Sequence, residues 1–331
     1  MSDVKEEKMT MQKAINLALL DAMADDDNVI LLGEDVADPE GGGVVGTTMG
    51  LSEAYGDRVR STPISEQGFM GAAVGAAVAG MRPVVEIMLM NFMTVASDQV
   101  VNHAAKLRFM SGGQTHVPLT IRTMSGAGAQ TGGQHTDWTE AWYAHTAGMH
   151  VVMPSNPADA YGLLRGCIEN DDPCLFLELI PALFTPGPAP VRGTVIPVGK
   201  ARVAREGSDV TLIGYGRGVW DSLAAAEKLA GEGVNAEVID LRSISPLDDE
   251  TILSSVARTG RAVVVHEALR SFGVGAEVSS RIHEELFSDL KAPVQRVGSS
   301  ECPTPFARHL ESAFLHSPAE VEAAARRTLG L

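Results

Sequence analysis

The sequence predicts an α/β protein of two doubly wound domains, and three observations predict it. Short apolar runs of strand length alternate with segments of helical apolar spacing along the 331 residues. One Pro-rich break, "IPALFTPGPAP", interrupts the alternation between Ile180 and Pro190. Beyond the break the alternation restarts and continues. A chain of this length accommodates two domains of ordinary size. They are drawn at 1–190, with the break at the end of the first, and at 191–331.

In the first domain the helical segment "MQKAINLALLDAMADD" precedes the buried strand "NVILLGED". The Gly/Ala-rich stretch "EQGFMGAAVGAAVAG" then leads to the strand "PVVEIM". The helix "VASDQVVNHAAKLRFM" separates it from "VPLTIRT", and "HVVMPS" follows. "NPADAYGLLRGCIEN" is a helix capped by Ser155 or Asn156, with Pro157 in its first turn. "CLFLEL" is the next strand, and the Pro-rich break after it is expected to form no regular element. In the second domain "DVTLIGYG", "NAEVIDL", "RAVVVHEA" and "APVQRVG" read as strands, separated by three helical segments. Gly214, Gly216 and Gly218 lie at the first strand-to-helix turn, but the spacing is not G-x-G-x-x-G, so they are assigned to a tight turn and not to a dinucleotide.

The net charge of −16 argues against a nucleic-acid binder, which needs a basic face, and suits a basic protein partner. Three sparse cysteines read as reduced thiols of a cytoplasmic protein. The polar stretch "MSDVKEEKMTMQ" is no signal peptide, and no apolar run is long enough to cross a membrane.

Glu66 is the one ionisable residue between Arg60 and Arg82. Two structural readings fit the residues: a helix N-terminal carboxylate stabilised by the helix dipole, and a small-residue face, Gly71, Gly75 and Ala79, that admits a close neighbour. A functional reading fits as well, because a carboxylate in an apolar, Gly-lined pocket is strengthened as a hydrogen-bond partner and proton carrier.

The string of Glu66, Gly71 and Gly75 resembles the pyrimidine-domain motif of thiamine-diphosphate enzymes. From about Met11 to Gly330 the chain is similar to the beta subunit of the decarboxylating component of 2-oxo acid dehydrogenase complexes, of the pyruvate, acetoin and branched-chain types. "LLGEDV", "TPISEQGF", "NFMTVASDQVVNHAAKLRFMSGG", "GGQHTDWTEAWYAHTAGMHVVMPSNPADAYGLL" and "VIDLRSISPLD" carry the resemblance in order and spacing. It implies a thiamine-diphosphate pyrimidine-binding domain followed by a smaller transketolase C-terminal-like domain that serves in assembly. It also implies that Glu66 activates the aminopyrimidine, that Phe92 packs against that ring, and that Glu34 lies in the active-site channel. His135, after the Gly-rich "SGAGAQTGG", is implied as the histidine that stabilises intermediates and guides acyl transfer to the lipoyl group. The resemblance further implies a potassium ion held by the backbone carbonyls of Leu119, Cys167, Asn170 and Asp172.

The superfamily holds Mg²⁺ and the diphosphate with a Gly-Asp-Gly motif, which this sequence lacks; its one Gly-Asp, Gly56-Asp57, precedes Arg58. The resemblance therefore implies a chain inactive alone, completed by an alpha subunit in an alpha2beta2 assembly. Glu285 and Asp289, one turn apart, are candidates for docking a lipoyl acyltransferase core. Two departures stand out: Thr136-Asp137 where the family has Ser-Gln, and the apolar "LELIPALFTPG" where it often has a charged segment. They leave two other readings open, a two-chain carboligase or transketolase-like synthase outside a dehydrogenase complex, and a non-catalytic adaptor of the same fold.

Overall fold

The structure, a computed structural model, describes residues 7–331. Two compact units emerge from the packing: residues up to Ser125 with Trp142–Val198, and Gly126–Ala141 with Gly199–Leu331. The sequence placed 1–190 in one continuous domain. By contacts the short stretch Gly126–Ala141 groups with the second unit, where Ala127, Gly128, Gln130 and Glu140 hydrogen-bond residues beyond 199.

In the first unit β1 (Lys8–Thr10) leads into α1 (Met11–Asp25), which Thr10 caps by accepting the Lys13 N–H. β2 (Val29–Gly33), α2 (Leu51–Tyr55), β3 (Val59–Ser61), α3 (Glu66–Val78) and β4 (Arg82–Leu89) follow. A 3₁₀ turn, Met90–Phe92, joins β4 to α4 (Met93–Asp98), and a π-helical stretch, Gln99–Ala104, joins α4 to α5 (Ala105–Met110). The sequence anticipated one regular helix here. The widened turn lies where Gln99 comes against Gly71 of α3, whose missing Cβ would stand 3.1 Å from its Oε1. Gly75 and Ala79, on the same face, are open in this chain.

β5 (Thr120–Ser125), α6 (Glu140–Ala144), β6 (His150–Val152), α7 (Pro157–Ile168) and β7 (Cys174–Leu179) come next. Asn156 caps α7, accepting the Asp159 N–H at 2.9 Å. α1 packs along α7, and α3 packs with α4 and the π-helical stretch. Parallel strands run in the order β6-β7-β5-β4-β2-β3. The Pro-rich break is more regular than expected: α8 (Ile180–Leu183) precedes β8 (Pro186–Pro188), which pairs antiparallel with β1. A short two-stranded ribbon tolerates these prolines because an edge needs few N–H donors.

In the second unit β9 (Arg202–Arg205), β10 (Val210–Gly214), α9 (Arg217–Ala230), β11 (Ala236–Asp240), β12 (Ser243–Ser245), α10 (Asp249–Thr259), β13 (Ala262–Leu269), α11 (Val274–Leu286), β14 (Gln295–Ser299), α12 (Arg308–Phe314) and α13 (Pro318–Leu329) succeed one another. The sheet order is β14-β13-β10-β11-β9, parallel except for β9. Valines of β10, β11 and β13 meet Val219 and Leu229 of α9 and Val321 of α13 in one apolar core. Gly216 takes φ 51° at the β10–α9 turn, and a Cβ on Gly218 would strike the Val265 carbonyl, so these glycines serve close backbone packing. α11 ends at Leu286, and Asp289 lies in the turn beyond it, so Glu285 and Asp289 are both exposed but do not share the helix as anticipated.

Candidate functional site

The strand order fixes where the first unit can bind a ligand. From β2 the chain goes to β3 on one side; from β4 it goes to β5 on the other. Loops diverge at that point and leave a crevice outside the carboxyl ends of β2 and β4, the switch-point position favoured by ligands in open α/β sheets. The residue after β2 is Glu34, and the turn after β4 ends in Phe92. Glu66 opens α3 directly after the loop that follows β3.

Glu34 is 7% exposed, and its Oε1 is buried without a hydrogen-bond partner among the described residues. Burial pushes its carboxyl above the ordinary glutamate value, and the negative charges of Glu66 and Asp35 push it the same way. The structure thus brings Glu34 and Glu66 within electrostatic reach of each other. Asp35 adopts φ 56°, an uncommon backbone for a residue with a side chain, so the turn at this strand end is sharp. Glu66 and Phe92 are both half-buried. An unpaired buried carboxylate oxygen, a second carboxylate and an aromatic ring at one crevice suit a planar heterocycle that carries N–H donors.

Below the crevice lies a charged group that the sequence reading missed. Arg122 of β5 is fully buried between two carboxylates, 2.8 Å from Glu86 Oε2 on β4 and 2.7 Å from Glu178 Oε1 on β7. Strand register places Arg122 directly opposite Glu86. Gly43 comes against the Glu86 carboxylate, where a Cβ would stand 2.7 Å from Oε1. Asp38 organises that Gly-rich loop, accepting the Gly50 N–H at 2.5 Å and the Glu53 N–H and Ser52 hydroxyl at 2.7 Å. Each of the strands "PVVEIM", "VPLTIRT" and "CLFLEL" carries one central charge, which is the signal that could have revealed the group.

One cation cannot neutralise two carboxylates. Burial pushes Glu178 up to about 7, against the pull of Arg122 and with the push of Glu86. The folded chain therefore keeps this proton where an ordinary glutamate, at 4.5, has lost it. The stabilisation is complete below about pH 4.5 and is lost as pH rises through 7, a difference of order 3 kcal/mol. Glu178→Gln, which cannot ionise, is expected to flatten the fall in melting temperature between pH 5 and 8. An unchanged pH profile would contradict this.

His135 is half-buried on the Gly126–Ala141 stretch, in the second unit, and so is not placed beside Glu66 by the first unit's own fold. Its N–H bonds the Gly132 carbonyl at 3.1 Å, the adjacent Thr136 hydroxyl bonds the same carbonyl at 2.9 Å, and Asp137 is exposed. Leu119, Cys167, Asn170 and Asp172 lie at the amino ends of β5 and β7 and the C-terminus of α7, at the opposite edge of the sheet from Glu34. A helix C-terminus favours a cation. The Arg82 guanidinium already donates there, at 3.1 Å to the carbonyls of Ile168 and Asn170, while the Leu119 carbonyl accepts the Cys174 N–H at 2.8 Å.

Comparison with known proteins matches residues 7–180 to the pyrimidine binding domain of transketolase and 199–321 to the transketolase C-terminal domain. The beta subunit of acetoin:2,6-dichlorophenolindophenol oxidoreductase from Cupriavidus necator is 42% identical, over 97% of this chain and 98% of that one. The mitochondrial pyruvate dehydrogenase E1 beta subunit of Drosophila melanogaster is 44% identical, over 98% of this chain and 90% of that protein. A solved inactive beta4 tetramer of a split-gene transketolase superposes with a TM-score of 0.79, covering 98% of this chain and 99% of the other, at 22% identity, which speaks to the fold. No helix among the described residues is long and apolar enough to cross a membrane. The chain belongs to the transketolase-like family of paired pyrimidine-binding and C-terminal domains, together with the beta subunits of acetoin:2,6-dichlorophenolindophenol oxidoreductase and of the pyruvate dehydrogenase E1 component.

Proposed function

We propose that this chain is the beta subunit of a thiamine-diphosphate-dependent enzyme that decarboxylates a 2-oxo acid or cleaves acetoin and passes the acyl group to lipoamide. The observation that carries the reading is the buried Glu34 carboxyl at the switch-point crevice, whose Oε1 has no hydrogen-bond partner among the described residues and which feels the charge of Glu66. Full-length similarity to acetoin- and pyruvate-dehydrogenase beta subunits supports the reaction class. Thiamine diphosphate, when bound, supplies the nucleophilic carbon and the electron sink. With the cofactor bound, Glu66 would exchange a proton with the aminopyrimidine, Phe92 would pack against its ring, and Glu34 would line the channel. His135 acts at acyl transfer.

The absence of Gly-Asp-Gly from the sequence supports a division of labour in which an alpha subunit brings Mg²⁺ and the diphosphate in an alpha2beta2 assembly. The open Gly75 and Ala79 face suits such a subunit contact. A potassium ion at the α7 carbonyls belongs to the proposal, with Arg82 as its competitor. Exposed Glu285 and Asp289 are the candidate surface for a lipoyl acyltransferase core. The unpaired thiols of Cys167, Cys174 and Cys302 suit a cytoplasmic setting.

Mixing the chain with an alpha subunit that carries Gly-Asp-Gly should give 2-oxo-acid- or acetoin-dependent reduction of an artificial acceptor that neither chain gives alone. Silence with every such donor, in a complex that forms, would overturn the reading in favour of an adaptor.

A further inference from the structure

The glycine-rich turn between β10 and α9 resembles a nucleotide site weakly and is not used by the proposed chemistry. Its side chains hold both ends of the stretch that carries His135. At one end, Arg217 Nη2 donates to the Ala127 carbonyl at 2.7 Å, while Glu267 Oε1 accepts the Ala127 N–H at 2.7 Å. Arg217 Nε and Glu267 Oε2 close the ring with a 2.7 Å ion pair. The N–H and the carbonyl of one residue, in two successive peptide units, are thus held by a charged pair. At the other end the Tyr215 hydroxyl donates to Glu140 Oε1 at 2.6 Å, both residues being buried.

Between these ends lies a second grip. Glu311, itself 3% exposed, accepts the Gly128 N–H at 2.8 Å and the Gln130 N–H at 3.0 Å on its Oε1. Gln130 takes φ 57°, and Gly128 takes φ 119°. Turned this way, the two N–H groups converge on one carboxylate, as backbone nests do on anions. Arg308 Nε adds a 2.9 Å bond to Gln130 Oε1. Farther on, Gly132 and Gly133 lie on the segment of Pro303–Phe306, with no room for a Cβ on Gly132 against the Phe306 ring. The turn that bears His135 follows at once.

A Gly-rich stretch has many accessible backbone states, so a defined histidine position needs anchors of this strength. Charge-assisted hydrogen bonds to buried carboxylates are the strong class. We infer that Arg217, Tyr215, Glu267 and Glu311 are positioning residues for His135, so that the second domain, through its β10–α9 turn together with β13 and α12, sets the geometry of the acyl-transfer step. The inference rests on the reading of His135 as the acyl-transfer histidine.

Glu311→Gln and Tyr215→Phe, each assembled with the alpha subunit, test it beside His135→Ala. In Glu311→Gln, amide exchange of Gly128 and Gln130 should be about ten- to a hundredfold faster with the global melt retained. Acyl transfer to lipoamide should fall by up to about a hundredfold and by more than decarboxylation with an artificial acceptor. Should Glu311→Gln fail to assemble, Tyr215→Phe, which removes one hydroxyl, gives the same readouts at the Glu140 end. If His135→Ala impairs acyl transfer while both variants leave exchange and acyl transfer unchanged, the positioning role is overturned. Faster exchange with undiminished acyl transfer overturns it as well. If His135→Ala itself leaves acyl transfer intact, the reading of His135 fails, and the exchange data then report on the anchors alone.

Discussion

Glu66→Gln is expected to reduce turnover of the assembled enzyme by about 10²–10⁴-fold, the usual contribution of a positioned proton carrier, and to leave assembly unchanged. The substitution keeps the shape of the side chain at the first position of α3 and removes the charge and the proton site. The loss should appear in decarboxylation with an artificial acceptor, before any acyl transfer. An independent consequence is available without turnover. The Glu66 charge is among the causes that raise the Glu34 carboxyl, after burial. In Glu66→Gln the Glu34 pKa should therefore move down toward the ordinary value, as read by carbon-13 NMR of the carboxyl. Near-normal turnover with a lowered Glu34 pKa would preserve the geometry and sink the catalytic assignment.

Arg122→Ala is expected to destabilise the chain by about 3–5 kcal/mol, because it strands buried charge. Glu86 and Glu178 would lose their shared cation in the middle of the sheet. Without its cation the buried carboxyl of Glu178 escapes only by binding a proton, so the cost should grow as pH rises, whereas a loss due to the cavity alone would not depend on pH. Chemical denaturation at pH 5 and pH 8 separates the two causes. A pH-independent loss would mean that the Arg122 side chain matters for its volume and not for its charge. The replacement Glu86→Gln/Arg122→Met/Glu178→Gln should recover much of the stability, since a buried ion group is costly to break and cheap to replace whole.

The strands β2, β4 to β7, β10, β11, β13 and β14 were legible as short, mostly apolar runs, which is what buried parallel strands need, whereas the three- and four-residue strands β1, β3, β9 and β12 are too short to leave such a run. Glu34, Glu66 and Phe92 were legible as positions on motifs, and the strand order then explains why two of them flank one crevice. The Glu86–Arg122–Glu178 group was not legible, because its pairing depends on the register of three strands far apart in sequence. For the same reason nothing in "SGAGAQTGG" announced that Glu311 would hold it. The π-helical stretch escaped because Gln99–Ala104 has ordinary helical spacing, and its widening belongs to the contact with α3. The strand Pro186–Pro188 escaped because proline argues against strands everywhere except at edges.

The central claim is that this chain holds the pyrimidine half of an active site whose diphosphate half lies on another subunit. Native mass spectrometry of the chain co-expressed with an alpha subunit carrying Gly-Asp-Gly, in thiamine diphosphate and Mg²⁺, tests that claim. A four-chain alpha2beta2 species that carries the cofactor, with none retained by this chain alone, is the predicted spectrum. Cofactor bound stoichiometrically to this chain in the absence of the alpha subunit would contradict the division of the site.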